Sequence, residues 1–78
     1  MPTLLIENGF RFYFQSNDHS PPHIHIIGKS GAVKFSLGNA VELIENKGMT
    51  VSDLKDVKKI VLKNNLYFLE RWNAFFGD

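Results

Sequence analysis

Residues 3–14 read TLLIENGFRFYF, and this stretch decides the fold of the first half of the chain. Asn8-Gly9 stands between two apolar runs, a combination that favours a tight β-hairpin because both residues tolerate positive φ. Side chains alternate between the two faces of a strand. The second run therefore places its rings on one face (Phe10, Phe12 and Phe14) and its two other residues on the opposite face (Arg11 and Tyr13).

The register of this hairpin has two solutions. A two-residue loop pairs Glu7 with Phe10, whereas a three-residue loop pairs Ile6 with Phe10. The longer loop puts two aliphatic side chains on the face that carries the phenylalanines, and a slip of one residue would move them to the other face. We therefore favour the three-residue loop, with Gly9 in the left-handed conformation.

Two further strands follow the hairpin. HIHII at 23–27 and AVKFSL at 32–37 alternate, and GKSG between them is typical of a turn. If the isoleucines of HIHII join the phenylalanine face, both histidines of that strand lie on the other face. The predicted sheet then has one apolar face and one face that is polar and open (Arg11, Tyr13, His23, His25, Lys34 and Ser36).

The second half of the chain has helical spacing. NAVELIENKG at 39–48 indicates either a short helix that ends at Gly48 or an irregular turn, and we favour the helix. Thr50 is a good N-cap for a second helix, with Asp53 in its first turn. The apolar period continues through Asn64-Asn65, which predicts one long helix of ~26 residues, or about 39 Å, either continuous or kinked at these two residues. Its apolar positions are Leu54, Val57, Val61, Phe68, Trp72 and Phe75.

Composition limits the class of protein. The 78 residues predict a single domain over 1–78, with 44% hydrophobic residues and seven phenylalanines to fill a small core. The absence of cysteine excludes disulfides and thiolate metal sites. A formal charge of +1 gives no general attraction to nucleic acid. No signal-like or membrane-spanning segment is visible, and we expect a cytoplasmic protein.

Together these patterns predict an α+β fold. We expect an antiparallel sheet of about four strands, packed on one face by a long C-terminal helix. The polar face of that sheet is then left for function.

All three histidines of the chain lie in NDHSPPHIHI at 17–26. Residues i and i+2 of a strand project side by side, so His23 and His25 form a candidate metal pair. His19 or Asp18 from the preceding loop is the candidate third ligand. Pro21-Pro22 restricts the backbone before the strand and would hold the loop at a fixed distance from it. The candidate metal ligands are His19, His23, His25 and Asp18, with zinc as the expected type of ion.

The same residues allow two other interpretations. Histidine titrates near neutrality and can act as a general base, while Tyr13 and Arg11 stabilise a phosphate or an oxyanion. That arrangement suits metal-free cleavage of a phosphodiester in RNA. Alternatively, the face is only a solvated strand surface. The candidate catalytic residues are His19, His23, His25, Tyr13 and Arg11.

Several segments resemble one known family. The opening MPT, NDHSPPHIHI, AVKFSL and the terminal LERWNAFFG are similar to small prokaryotic proteins catalogued as domain of unknown function 4160. The sequence departs from that family's usual style at 64–66, where many members are more charged. The resemblance implies a functional motif of Asp18, His19, Pro21, Pro22, His23 and His25. Because members often lie beside another small domain, it also implies a toxin–antitoxin-like pair with a small partner protein.

Three functions are therefore open. The first is one component of a two-protein module whose histidine-rich sheet face is the working surface. The second is a metal- or histidine-dependent hydrolase that acts on RNA or another phosphodiester. The third is a non-catalytic regulator that binds nucleic acid, which the low net charge disfavours.

Overall fold

A computed structural model describes residues 3–77, which form a five-stranded antiparallel sheet and two helices. The strand order in the sheet follows the chain, β1-β2-β3-β4-β5. The α+β class is confirmed, with five strands where about four were expected. The strands are β1 (Thr3–Glu7), β2 (Phe10–Tyr13), β3 (His23–Ile27), β4 (Ala32–Ser36) and β5 (Leu43–Lys47), and the helices are α1 (Val51–Lys63) and α2 (Asn65–Phe76).

The turn between β1 and β2 has two residues, so the favoured three-residue loop is wrong. Glu7 pairs with Phe10, and Leu5 pairs with Phe12. Asn8 and Gly9 have φ values of 54° and 81°. Positive φ at both positions suits a type I′ turn, whose twist matches that of the flanking strands. The turn geometry therefore outweighs the gain from a second aliphatic side chain on the phenylalanine face.

The predicted alternation of β2, β3 and β4 is confirmed. The predicted apolar residues of these strands and the ring that follows β2 are each at most 7% exposed (Phe10, Phe12, Phe14, Ile24, Ile26, Val33, Phe35 and Leu37). Helix side chains complete the same core (Val57, Ile60, Val61, Phe68 and Trp72). Both helices thus cover one face of the sheet, and the opposite face carries the polar residues of β2, β3 and β4.

The segment predicted as a short helix ending at Gly48 is instead strand β5. It pairs with β4, with Lys34 opposite Glu45 and Ala32 opposite Lys47. All five residues of β5 are exposed, so the strand has no buried face that would produce a visible alternation. Without β5, the outer edge of β4 would present unpaired backbone groups. The gain from pairing outweighs the helix propensity of the segment.

The C-terminal helix is not continuous: Asn64, one of the two residues where a kink was predicted as an alternative, separates α1 from α2 with φ −110° and ψ 14°. The Asn64 side-chain amide donates a hydrogen bond to the carbonyl oxygen of Ile60 at 2.8 Å, which caps the end of α1. The Asn65 side chain donates to the Gly38 carbonyl at 2.8 Å and accepts from the Gly38 N–H at 3.0 Å. These bonds tie the helix break to the β4–β5 connection.

Gly31 lies where the start of β4 passes the connection between β5 and α1. A Cβ atom added to Gly31 would overlap the carbonyl oxygen of Lys47 and would lie 2.6 Å from the Gly48 carbonyl carbon and the Met49 nitrogen. Only a hydrogen fits in this position. Of the described glycines, Gly31 has the closest neighbouring atoms, which belong to the segment that leads from β5 into α1.

Neither helix within residues 3–77 has the length and the apolar composition that crossing a lipid bilayer requires.

Candidate metal centre

The candidate site lies where the β2–β3 loop enters β3. His23 and His25 project from the same face of β3, opposite the buried Ile24 and Ile26, as predicted. Their ring centroids are 5.2 Å apart. The His23 and His25 side chains are only 14% and 12% exposed. The two imidazoles are therefore sheltered and do not extend freely into solvent.

A turn in the loop places Asp18 above the two imidazoles. The backbone N–H of Asp18 donates to the Gln15 carbonyl at 3.0 Å, and the Gln15 N–H donates to Asp18 Oδ2 at 2.9 Å. The two bonds close the turn and fix the direction of the carboxylate. The Asp18 side chain is only 6% exposed.

Asp18, His23 and His25 bring three potential metal ligands together. Asp18 Oδ1 lies 3.2 Å from His23 Nε2 and 3.0 Å from His25 Nε2. One ligand atom of each residue lies within 4.8 Å of the other two. Around tetrahedral zinc with bonds of about 2.0–2.1 Å, ligand atoms lie about 3.3–3.4 Å apart. Two edges of the triangle are thus already close to the length that a shared ion requires.

The second ring nitrogen of His23 contacts a backbone carbonyl. His23 Nδ1 lies 3.0 Å from the Pro21 carbonyl oxygen. A carbonyl oxygen only accepts, so Nδ1 carries the proton. If the ring is neutral, Nε2 directs a lone pair at the Asp18 carboxylate; if the ring is protonated, Nε2 donates a hydrogen bond to that carboxylate. Two lone pairs facing each other repel unless a proton or a metal cation lies between them. Histidines that bind metals usually donate their other N–H to a carbonyl or carboxylate in this way.

The environment of Asp18 shifts the pKa of its carboxyl group. Burial raises this pKa, but the Gln15 N–H and the hydrogen bonds from His25 and His23 lower it more, so the pKa lies below its usual value. A carboxylate with a lowered folded-state pKa stabilises the fold above its unfolded pKa of about 3.9. That contribution is lost as the pH falls through the lowered, folded-state pKa.

We therefore expect the wild type to lose stability below about pH 4 more steeply than Asp18→Asn, which has no carboxylate to protonate at this position. Urea denaturation of both proteins at a series of pH values between neutral and strongly acidic measures this difference. The remaining carboxylates are common to both proteins and cancel in the comparison. Parallel stability curves would show that the Asp18 contacts do not stabilise the folded state.

Aromatic side chains flank the cluster on two sides. Tyr13 stacks on the His25 ring with centroids 5.4 Å apart and planes 21° apart. The guanidinium carbon of Arg11 lies 4.8 Å from the centroid of Tyr13. Trp72 lies 5.1 Å from the His23 ring. Trp72 was predicted as a core residue, which it is, but its contact with His23 was not predicted. Its helical spacing gave no sign that the core reaches the end of the sheet where the site lies.

His19 is the one predicted ligand that the structure does not bring into this group. Its side chain is exposed, and the group of potential ligands consists of Asp18, His23 and His25. The Ser20–Pro21 peptide bond that follows His19 is cis. A catalytic or ligating role for His19 stays a prediction, as do the catalytic roles of Tyr13 and Arg11.

Comparison with known proteins gives a family and nothing more specific. The sequence model of the family described as Domain of unknown function (DUF4160) matches residues 9–73. The match includes the whole histidine motif and Trp72. No curated protein and no solved structure matches the chain.

Proposed function

We propose that this chain, which belongs to the DUF4160 family, binds one divalent transition-metal ion through Asp18, His23 and His25. The observation that carries the proposal is that one Asp18 oxygen lies 3.2 Å from His23 Nε2 and 3.0 Å from His25 Nε2, while His23 Nδ1 lies 3.0 Å from the Pro21 carbonyl oxygen. Two imidazoles and one carboxylate are ligands that zinc accepts in catalytic sites, and the same set with open positions also suits iron(II).

Three protein ligands leave at least one coordination position open, which favours a catalytic centre over a structural one. A bound zinc ion supplies a water whose pKa is lowered to about 7. Hydrolysis of RNA or of another phosphodiester is the reaction that fits this chemistry best. Tyr13 stacks on His25, and Arg11 lies over the Tyr13 ring; both would stabilise the charge that develops on the phosphate.

The Asp18–His25 contact supports a metal-free variant of the same activity. His25 Nε2 lies 3.0 Å and 3.2 Å from the two carboxylate oxygens of Asp18. A carboxylate that holds one N–H of an imidazole leaves the other nitrogen available as a general base. Activity that survives a chelator would favour this histidine-dependent mechanism.

The two-protein module remains a proposal about the setting of this activity. The exposed edge strand β5 supports it, since Leu43 is 44% exposed and Ile44 is 53% exposed. An unpaired strand edge with aliphatic side chains is a common place for a second chain to add. The partner protein, binding to nucleic acid and the cytoplasmic location stay predictions.

Zinc titration of the purified protein tests the metal centre. We expect His23→Ala and His25→Ala each to weaken zinc binding by more than about 100-fold, because even the loss of a group that only supports a ligand costs about 10–100-fold. Binding to the wild type should also weaken as the pH falls through the histidine range, because the ligands must be deprotonated. Isothermal titration calorimetry measures both effects.

His19→Ala is the matched control, because this histidine is exposed and neighbours Asp18 in the chain. It should bind zinc as the wild type does. A loss equal to that of His23→Ala would make His19 a ligand and would contradict the three-residue centre. Weak, equal heats from all four proteins would exclude the metal centre. Hydrolysis of a chromogenic phosphodiester, with and without a chelator, then tests the proposed reaction.

A further inference from the structure

We propose that a depression beside the candidate centre binds the phosphate group of a phosphate ester, with Lys34 and Lys47 as the cations that contact it. The depression has a volume of about 190 Å³ and lies on the open face of the sheet. Its wall includes Tyr13, Gln15, His25, Lys34, Glu45 and Lys47. A catalytic role for the bound phosphate ester rests on the proposed metal centre, whereas binding of the phosphate group to the lysines does not.

The pairing register of the strands places the wall residues of this depression on one face of the sheet. Tyr13 pairs with His25, His25 with Lys34, and Lys34 with Glu45, so these four side chains form one row across four strands. Paired residues project to the same face of the sheet. Ala32 pairs with Lys47 on the same face, two residues along β4 and β5. The small side chain of Ala32 leaves space between larger neighbours, and that space is the depression.

The charges around the depression favour an anion. Lys34 Nζ lies 4.0 Å from the Glu45 carboxylate, and Lys47 Nζ lies 3.8 Å from it. Both distances exceed the 2.7–2.9 Å of a short charge-assisted hydrogen bond. Two ammonium groups share one carboxylate, so Lys34, Lys47 and Glu45 together carry one formal positive charge, while the nearby Asp18 carboxylate contacts the histidines. A phosphate group that approaches both lysines more closely than Glu45 does would gain the stronger contacts.

The size of the depression limits how much of a ligand it can enclose. Pockets that enclose a drug-sized molecule usually measure about 300–1,000 Å³. At 190 Å³, the depression holds one phosphate-sized group and leaves the rest of the ester in solvent. Such a site contacts the phosphate and not a base. If the ester is a nucleic acid, we therefore expect the site to bind it without a preference for base sequence.

His25 connects the depression to the candidate centre. It belongs to the wall of the depression and also contacts the Asp18 carboxylate. Gln15 likewise lines the depression and holds Asp18 through its backbone N–H. A phosphate group held by Lys34 would therefore lie next to the residues proposed to carry the hydrolytic chemistry.

Titration of chelator-treated protein with inorganic phosphate, followed by backbone amide chemical shifts, tests the inference. We expect the largest shifts at residues 13, 15, 32–34 and 45–47. Lys34→Met and Lys47→Met should each weaken phosphate binding about threefold to tenfold, because partly exposed charge pairs contribute modestly. Lys58→Met is the matched control, since it removes the same charge from the exposed surface of α1 and should leave binding unchanged.

Zinc titration of the same proteins in phosphate-free buffer separates this inference from the metal centre. Lys34→Met should weaken phosphate binding and retain zinc binding, whereas His23→Ala should lose zinc and retain phosphate binding. Phosphate shifts confined to other residues, or an equal affinity in Lys34→Met and Lys58→Met, would overturn the inference. Neither result would depend on whether zinc binds.

Discussion

Trp72→Ala should lower the free energy of unfolding by about 3–5 kcal/mol, the usual cost of truncating a buried tryptophan. Trp72 is 2% exposed, and its indole lies 5.3 Å from Phe14 and 4.3 Å from Phe76, measured between ring centroids. Small proteins have total stabilities of roughly 0.05–0.15 kcal/mol per residue, so this loss would remove a large share of the total stability. Urea denaturation followed by far-ultraviolet circular dichroism measures the loss.

Phe75→Ala is the matched control for this substitution. Phe75 lies on the same helix and also contacts Phe14, with ring centroids 6.1 Å apart, but it is 46% exposed. The truncation removes less buried surface and should cost at most about 1.5 kcal/mol. Equal losses from the two substitutions would contradict the central position of Trp72 in the core.

Gly31→Ala should lower the free energy of unfolding by about 3 kcal/mol, at the upper end of the usual cost of overpacking. The added methyl group would meet backbone atoms of Lys47, Gly48 and Met49. Backbone atoms cannot rotate away as the end of a side chain can. The start of β4 would therefore have to shift away from the segment between β5 and α1. A loss of this size should lower the melting temperature by about 12–24 °C in a domain of this length.

Gly77→Ala controls for the loss of a glycine as such. Gly77 ends α2 with φ 69°, and a Cβ atom there would meet no atom within 4 Å. Its cost should be only the strain of a left-handed residue, about 1–2 kcal/mol. A melting temperature of Gly31→Ala equal to or above that of Gly77→Ala would contradict the large cost expected from the close approach at Gly31.

The central strands were predictable because each has one buried face. Phe12, Ile24 and Phe35 are at most 1% exposed, and their neighbours in the chain point to the other side. Burial on one face imposes a period of two residues on the sequence. The faces of His23 and His25 followed from that period alone.

The edges of the fold were less predictable. Strand β5 is exposed throughout, so no periodic apolar signal distinguishes it from the predicted helix. The break at Asn64 depends partly on bonds between Asn65 and Gly38, which are far apart in the sequence. Local propensity contains no information about such a contact, and tertiary structure overrides it.

The candidate site was predictable in its strand residues and less so in its loop. Two histidines at i and i+2 of a strand must lie side by side, but either Asp18 or His19 was able to supply the third group. The turn closed by Gln15 directs the Asp18 carboxylate at the imidazoles and leaves His19 exposed. A turn that depends on one side chain bonding to a backbone N–H leaves little trace in residue order.

The contact between Trp72 and His23 has a consequence for spectroscopy. The chain contains a single tryptophan, and its indole is buried 5.1 Å from an imidazole of the candidate centre. Its fluorescence therefore originates beside that site. A paramagnetic ion such as cobalt(II), bound to His23, would quench the emission strongly, and the wavelength maximum would report whether the indole stays dry. If the candidate centre binds a metal, the protein carries an intrinsic optical probe of its occupancy, without any added label.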